Sequence, residues 1–477
     1  MSKSIYHIMT SLLAFTIIIS SGCEKTVDID PPLNQITTSL VFSSDKLATA
    51  ARSGMFSTLA SISTQSQNLT TYSSLQADDL LYIATAVALQ EFNNNTYTAV
   101  STSQASIFSD WYSVIYRANA MIEGLQNTSG TTASLKTQYI AEAKLVRAYC
   151  YFHLVNTFGD VPLVLVTDPS VTAFLPKSAT SIIYAQMIED LTEAKSNLGV
   201  VYPGVTATTT SSNDRTLVNR FVATALLARV QLYTGNYAAA ESNASEVIAS
   251  TLYNMIPRTT MATGVFTRDN AECIWAMSPP VLYTNQYTVE ASVFIPSSLT
   301  SVTTFNYRLD PRFAALFTST DLRRTGWMSN VTLSGTTYII PFKYKYRTQP
   351  LAVAAGISES QVVVRLAEMY LIRAEARART GSNLSGALAD LNVIQTRAAA
   401  TLTTATDASS LLTAIALENR KEFFCEQAYR WYNLKRTGEA DAVLGAIKSS
   451  YTPHAKLLPI PQAAIDANYN LTQNPGY

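Results

Sequence analysis

Val-Val-Val-Arg-Leu-Ala-Glu-Met-Tyr-Leu-Ile-Arg-Ala-Glu-Ala-Arg-Ala-Arg-Thr-Gly, Val362 to Gly381, decides the architecture together with its continuation to Arg397. Val363, Leu366, Tyr370, Ile372, Ala374 and Ala378 recur at helical spacing. Gly381-Ser382-Asn383 interrupts that period, and Leu384, Leu388, Leu391 and Ile394 resume it, so the reading is a helix, a tight turn and a second helix. Alanines at 374, 376, 378, 387 and 389 let the two backbones approach, while Glu368, Arg373, Glu375 and Arg377 charge the opposite faces. Such a hairpin cannot bury its apolar face alone.

The chain supplies a second one. Leu217 to Tyr233 is helical in pattern, Gly235-Asn236 turns it, and Tyr237 to Ser250 returns. Aligned on their turns, Leu226 to Gly235 mirrors Leu371 to Gly381, and both units look like tetratricopeptide-type helix pairs. Outward from them, helices are predicted at Asp45–Leu59, Ile107–Leu125, Leu135–Phe158, Ala179–Leu198 and, as one element, Asp407–Arg436. Leu75 to Ser106 reads as irregular, and Met255 to Gln361 as short strand-like runs among many Thr, Ser, Tyr and Pro. The predicted fold class is therefore mainly α, with helix pairs packed against an irregular, loop-rich lobe containing a few short strands.

With 477 residues, 47% of them hydrophobic and 14% charged, the chain is long enough to enclose a large core. Lys plus Arg equals Asp plus Glu, 34 against 34, so no global field draws it to nucleic acid. Chemistry is sparse. There is no phosphate-cradling glycine loop, no zinc-type cysteine spacing, no Gly-x-Ser-x-Gly elbow and no histidine pair one helical turn apart. Of three histidines, His153 lies in an apolar helical pattern and His454 in a proline-flanked loop. These observations argue against an enzyme, and no cofactor or metal is implied. Glu418, Glu422, Glu426 and Arg430, spaced by four, are expected to join a partly buried ion-pair network, because Phe423, Phe424, Tyr429, Trp431 and Tyr432 crowd the same segment.

Lys3, the apolar run Ile8 to Ile19 and Ser20-Ser21-Gly22-Cys23 read as a signal peptide over residues 1–22, and the small residues before Cys23 resemble a bacterial lipobox. Cys23 is then the lipidated first residue of the mature chain, with a polar tether following. Cys150, Cys273 and Cys425 lie in apolar patterns and are expected as buried thiols.

Glu418 to Gly438, Glu-Asn-Arg-Lys-Glu-Phe-Phe-Cys-Glu-Gln-Ala-Tyr-Arg-Trp-Tyr-Asn-Leu-Lys-Arg-Thr-Gly, resembles the C-terminal signature of the SusD/RagB outer-membrane nutrient-binding lipoproteins. Trp111-Tyr112 with Ile115, Arg117 and Asn119 resembles that family's early helix, and Arg365 to Ala376 its late tetratricopeptide helix. Asp310-Pro311-Arg312 with Lys343-Tyr344, and the ending Leu458-Pro-Ile-Pro to Tyr477, agree as well. Asn419 stands where an arginine is usual and Asn433 where an aspartate is usual. The resemblance implies a lipid anchor and tether over 23–43 and a single SusD-like domain over 44–477, with its helical scaffold at 44–250 and 362–477 and its irregular lobe at 251–361. It further implies a surface-exposed lipoprotein of the outer membrane that captures a glycan or oligosaccharide for a SusC-like TonB-dependent transporter. A peptide-binding RagB-like protein and a tetratricopeptide scaffold without ligand are the alternatives. Sugar rings stack on flat aromatics while amides and carboxylates take their hydroxyls. The two irregular stretches therefore supply the candidate ligand residues, Asp78, Tyr82, Phe92, Asn94 and Tyr97 in the first and Tyr283, Tyr287, Tyr307 and Trp327 in the second. Trp275 reads as a buried strand residue.

Overall fold

Side chains at helix starts explain where the long helices begin. Asn219, Asn236, Asn383 and Asp407 each accept a hydrogen bond from the N–H three residues on, satisfying a donor that the first turn leaves open. The computed structural model describes residues 38–65, 68–204, 212–277, 287–298 and 304–477. Ten helices carry the scaffold: α1 (Asp45–Gln65), α2 (Thr102–Gln126), α3 (Ala133–Phe158), α4 (Thr180–Asn197), α5 (Arg220–Tyr233), α6 (Tyr237–Ile248), α7 (Leu366–Thr380), α8 (Leu384–Arg397), α9 (Ala408–Phe423) and α10 (Tyr429–Arg436). Gly235 and Gly381, at φ of 76° and 68°, close the two hairpin turns in a conformation that side chains resist.

The hairpins α5–α6 and α7–α8 stack through α6 against α7, and α9 packs on α7. Small residues make the close approach: Ala374, Ala378 and Ala387 are fully enclosed with Leu371, Leu391, Ile394, Leu411 and Ile415. Charges stitch the seams. Arg229 of α5 donates to Glu368 of α7 at 2.6 and 2.8 Å, and Arg373 and Arg377 of α7 share Asp390 of α8. A larger apolar core joins α1 to α5 with the lobe, and Trp111, Tyr149 and Trp275 meet edge to face within it. His153 stacks on Trp111, and burial holds its imidazole neutral, well below the usual histidine range.

The lobe consists of short antiparallel pairs. The strand β1 (Leu80–Tyr82) pairs with β3 (Tyr307–Leu309), β2 (Cys273–Met277) with β6 (Gln361–Arg365), and β4 (Met328–Leu333) with β5 (Thr336–Pro341). Three expectations change here. The helix expected from Val362 starts at Leu366, because the β-branched run Val362–Val364 pairs with β2 instead. Leu75–Ser106 is not irregular throughout: it holds β1 and a helix, Val87–Asn94, ended by left-handed Asn95. The single helix expected over 407–436 is broken between Phe423 and Tyr429, with Cys425 and Gln427 left-handed at φ of 50° and 46°. Cys150, Cys273 and Cys425 are buried free thiols, as their surroundings predict.

That break serves the ion network. Glu422 at the end of α9 and Glu426 beyond it turn inward to Arg365, while Arg323 takes Glu418, Glu422 and Asp321. Arg397 bridges Glu272 and Glu422, Lys343 pairs with Glu426, and Lys421 with Asp321. Five carboxylates thus face five cations, nearly all of them sealed from water. Burial alone would raise the Glu422 carboxyl, but Arg397, Arg365 and Arg323 outweigh it and hold it well below the usual range. Arg430, expected in line with the glutamates, lies past the break and pairs with Asp78.

The final segment closes back over the first helices. Leu458 N–H donates to Thr157 O, Gln462 N–H to Ala99 O, and the Asn474 amide to Phe158 O and Leu458 O. Lys448 reaches across the whole chain to the carbonyls of Leu75 and Gln76 and to Asn95 Oδ1.

Candidate ligand-binding face

The pairing of β1 with β3 brings the two irregular stretches together. Tyr82 stands opposite Tyr307 in the register, with ring centroids 5.2 Å apart. The Val87–Asn94 helix packs behind β1. Its Phe92 stacks on Tyr72 at 4.3 Å, and Tyr97 lies 5.5 Å from Phe92. Asn94 is half-buried, accepts from Asn93 Nδ2 and donates to Gln90 Oε1. Tyr287 is half-buried just ahead of the helix Val289–Phe294, whose Phe294 meets Tyr307 edge to face.

Their exposures differ from those of a naked aromatic platform. Phe92 and Trp327 are wholly enclosed, and Tyr82, Tyr97 and Tyr307 nearly so. The Tyr97 hydroxyl is used inside, donating to Ala455 O and accepting from Gln76 Nε2. Trp327 is not part of this cluster: its indole N–H donates to Met261 O, and its ring faces Lys343 at 4.8 Å, with Arg365 and Arg397 beyond. Tyr283 and Cys23 lie outside the described residues. What β1 and the helix behind it offer to solvent is Ile83 and Val87, the latter 73% exposed, with the half-buried Asn94.

Asp78 and Asp79 anchor this region to α9 and α10. Arg430 donates to both oxygens of Asp78 at 2.7 and 2.9 Å, and Arg420 bridges Asp78 and Asp79. Neither arginine is legible in the sequence as a partner of Asp78 or Asp79, since the contact spans about 350 positions and leaves no local pattern. Burial would raise Asp78, but Arg430 and Arg420 hold it below its ordinary value. Asp79 goes the other way, pushed up to about 6 by burial, with the Asp78 charge adding and Arg420 opposing. The folded chain therefore holds this proton more tightly than the unfolded chain. Asp79 stabilises the fold fully below about pH 4, and that contribution is lost as pH rises to about 6. Asp79→Asn cannot titrate, so urea denaturation between about pH 4 and pH 6 should show a shallower downward slope for the variant. An identical slope would remove Asp79 from the account.

The two departures noted at 419 and 433 meet each other. Asn433 Nδ2 donates to Asn419 Oδ1 at 2.7 Å, while Asn433 Oδ1 accepts from Arg436. A neutral amide pair stands there.

Two family models match the chain, "SusD family" over residues 317–477 and "Starch-binding associating with outer membrane" over residues 27–232. Over both stretches the chain is similar to the SusD/RagB family. SusD-like protein P2 of Formosa agariphila is 25% identical over 533 residues, an alignment covering 99% of this chain and 99% of that one. SusD-like protein P25 of the same organism is also 25% identical, over 190 residues that span 34% of its length. Among solved structures, a laminarin-binding SusD-like protein superposes with a TM-score of 0.75 at 23% identity, covering 91% of this chain and 100% of that chain. The helix-pair scaffold and its few two-stranded sheets are thus the SusD-like fold. Of the two matching family descriptions, the one over residues 27–232 names starch binding and association with the outer membrane. Among the described residues no helix is long and apolar enough to cross a membrane, and no group of three or more His, Cys, Asp or Glu is placed to hold a metal ion.

Proposed function

We propose that this SusD-like protein is held at the outer membrane by a lipid on Cys23, captures oligosaccharides at the β1–β3 face and passes them to a SusC-like TonB-dependent transporter. The β1–β3 pairing carries the ligand half of this reading, because it joins two aromatic and amide-rich stretches more than 200 residues apart into one surface. In this arrangement Tyr82, Phe92, Tyr97 and Tyr307 form the floor, and Asn94 and Tyr287 meet the sugar. Asp78 holds the floor to Arg430 rather than touching ligand. Laminarin, named for one structural neighbour, is the first glycan to test. Tyr287→Ala should cost roughly 1 to 3 kcal/mol of affinity, the scale of other aromatic stacking sites, and Asn94→Ala roughly 0.5 to 1.5 kcal/mol, the scale of one neutral hydrogen bond, both with Tm nearly unchanged. Wild-type affinity in both variants, for a glycan that binds, would move the site elsewhere. An absence of any ligand-dependent thermal shift across glycans and peptides would favour the scaffold reading.

The transporter half rests on the family and on the stacked hairpins, whose outer faces are extended surfaces of the kind used for protein contact. Mild-detergent solubilisation of the outer membrane should bring down a large β-barrel protein with this one, and Cys23→Ala should leave the protein in the soluble fraction of cells lacking that transporter. Repeated absence of the barrel, or a membrane-bound Cys23→Ala protein, would count against it.

A further inference from the structure

Between α7, α9 and α10 lies a cleft of about 410 Å³, lined along α9 by Leu412, Ala416 and Leu417 and, one turn further on, by Asn419 and Arg420, with Arg430 of α10. Its volume is on the scale of a small-molecule site. The polar wall is held rigidly from behind. Arg420 and Arg430 spend their Nε and Nη2 atoms on Asp78 and Asp79, and Arg436 spends both Nη atoms on Glu375. Asn433 is oriented by Arg436, which needs its Oδ1, so its Nδ2 must donate to Asn419 Oδ1. That leaves the Asn419 Nδ2 donor over. Among the described residues it donates to nothing, and neither do Nη1 of Arg420 and Nη1 of Arg430. Glu439 at the rim takes no side-chain hydrogen bond among the described residues, though its charge acts on Arg430.

Unspent donors therefore outnumber unspent charged acceptors on a wall that cannot rearrange without breaking the Asp78 and Glu375 pairs. A neutral hydroxyl brings one donor with its two lone pairs, and so relieves this imbalance less than an anion does. A carboxylate or sulfate brings acceptors only, and guanidinium forks bind both strongly. The apolar stretch of α9 beside these donors suits the C–H face of a ring. We propose that this cleft is a second carbohydrate subsite, one that takes a sugar unit bearing a carboxylate or a sulfate. The sugar rests on the glycan-capture reading above; the anion rests on the donor surplus alone.

The probes are D-glucuronate, glucose 6-sulfate, D-glucose and inorganic sulfate, titrated into the full chain by calorimetry with the Tm followed in parallel. Glucuronate or glucose 6-sulfate, or both, should bind with a Kd in roughly the millimolar range, and glucose at least about tenfold more weakly. Asn419→Asp keeps the acceptor that Asn433 needs and turns the free donor into a negative charge. It should weaken the acidic sugar by about tenfold or more with Tm unchanged, and Thr413→Trp, which fills the cleft, should do the same. Laminarin binding at the β1–β3 face should be untouched by either substitution. Acidic-sugar binding that survives both variants, glucose bound as tightly as the acids, or free sulfate bound as tightly as glucose 6-sulfate would each overturn the subsite. Loss of laminarin binding in Tyr287→Ala together with no acidic-sugar binding in the wild type would sink this inference and leave the capture reading standing. The reverse pattern, acidic-sugar binding sensitive to Asn419→Asp with no laminarin or other neutral glycan bound, would support the subsite and sink the β1–β3 face.

Discussion

Arg365→Ala should lower the free energy of unfolding by roughly 3 to 5 kcal/mol, the scale of removing one partner from a buried ion pair. Arg365 is 1% exposed, and its guanidinium serves Glu272, Glu422 and Glu426 while lying 4.1 Å over the Phe423 ring. Truncation leaves the five enclosed carboxylates of the network facing four cations. Arg397 and Arg323 still face Glu422, but Glu426 keeps only Lys343. Burial, partly offset by Glu426, already lowers the Lys343 ammonium to about 8. Urea denaturation at neutral pH reads the loss directly as a shift in midpoint. A loss under about 1 kcal/mol would mean that the remaining cations compensate and that the network is far softer than its geometry.

Trp327→Ala is expected to cost a similar amount, roughly 3 to 5 kcal/mol, as large aromatic truncations in cores do. The indole fills space between Phe266 and the network, with Lys343, Arg365 and Arg397 over its π face. The variant therefore loses packing and three cation–π contacts at once. Thermal unfolding should show it plainly, while glycan affinity measured below the new Tm stays at the wild-type value. A variant with unchanged Tm and lost affinity would return Trp327 to the ligand face.

The long helices were legible because their apolar period is sustained over several turns, and the Asn and Asp caps stand in the sequence where the helices start. The network was legible in part: the spacing of Glu418, Glu422 and Glu426 points to one face, but their partners Arg323, Arg365 and Arg397 sit on three other segments. The break after Phe423 was not. No glycine or proline marks it, and left-handed Cys425 and Gln427 are imposed by what Glu426 and Arg430 reach on either side. The three-residue strands β1 and β3 escape for a related reason, since so short a run carries no alternation and its partner is remote. Least legible is the burial of the aromatics in the irregular stretches. Tyr97 and Trp327 lie among polar neighbours and read as surface, yet each has a carbonyl inside the fold for its polar tip, which lets an amphipathic ring be enclosed.

Lys448 is tied to carbonyls some 373 positions earlier, and Leu458, Gln462 and Asn474 are knotted to the ends of α2 and α3 in the same manner. A chain emerging from its amino end has Thr157 and Ala99 waiting for residues made last. The charged centre waits too, for Glu422 and Glu426 cannot meet Arg323 and Arg365 until most of the polypeptide exists. Half-finished, the molecule would carry a helical shell with unmatched carbonyls and open apolar seams, the type of intermediate that sticks to its neighbours. Completion is therefore a late event. Such wiring keeps the fold open until its last residues have been made and have docked.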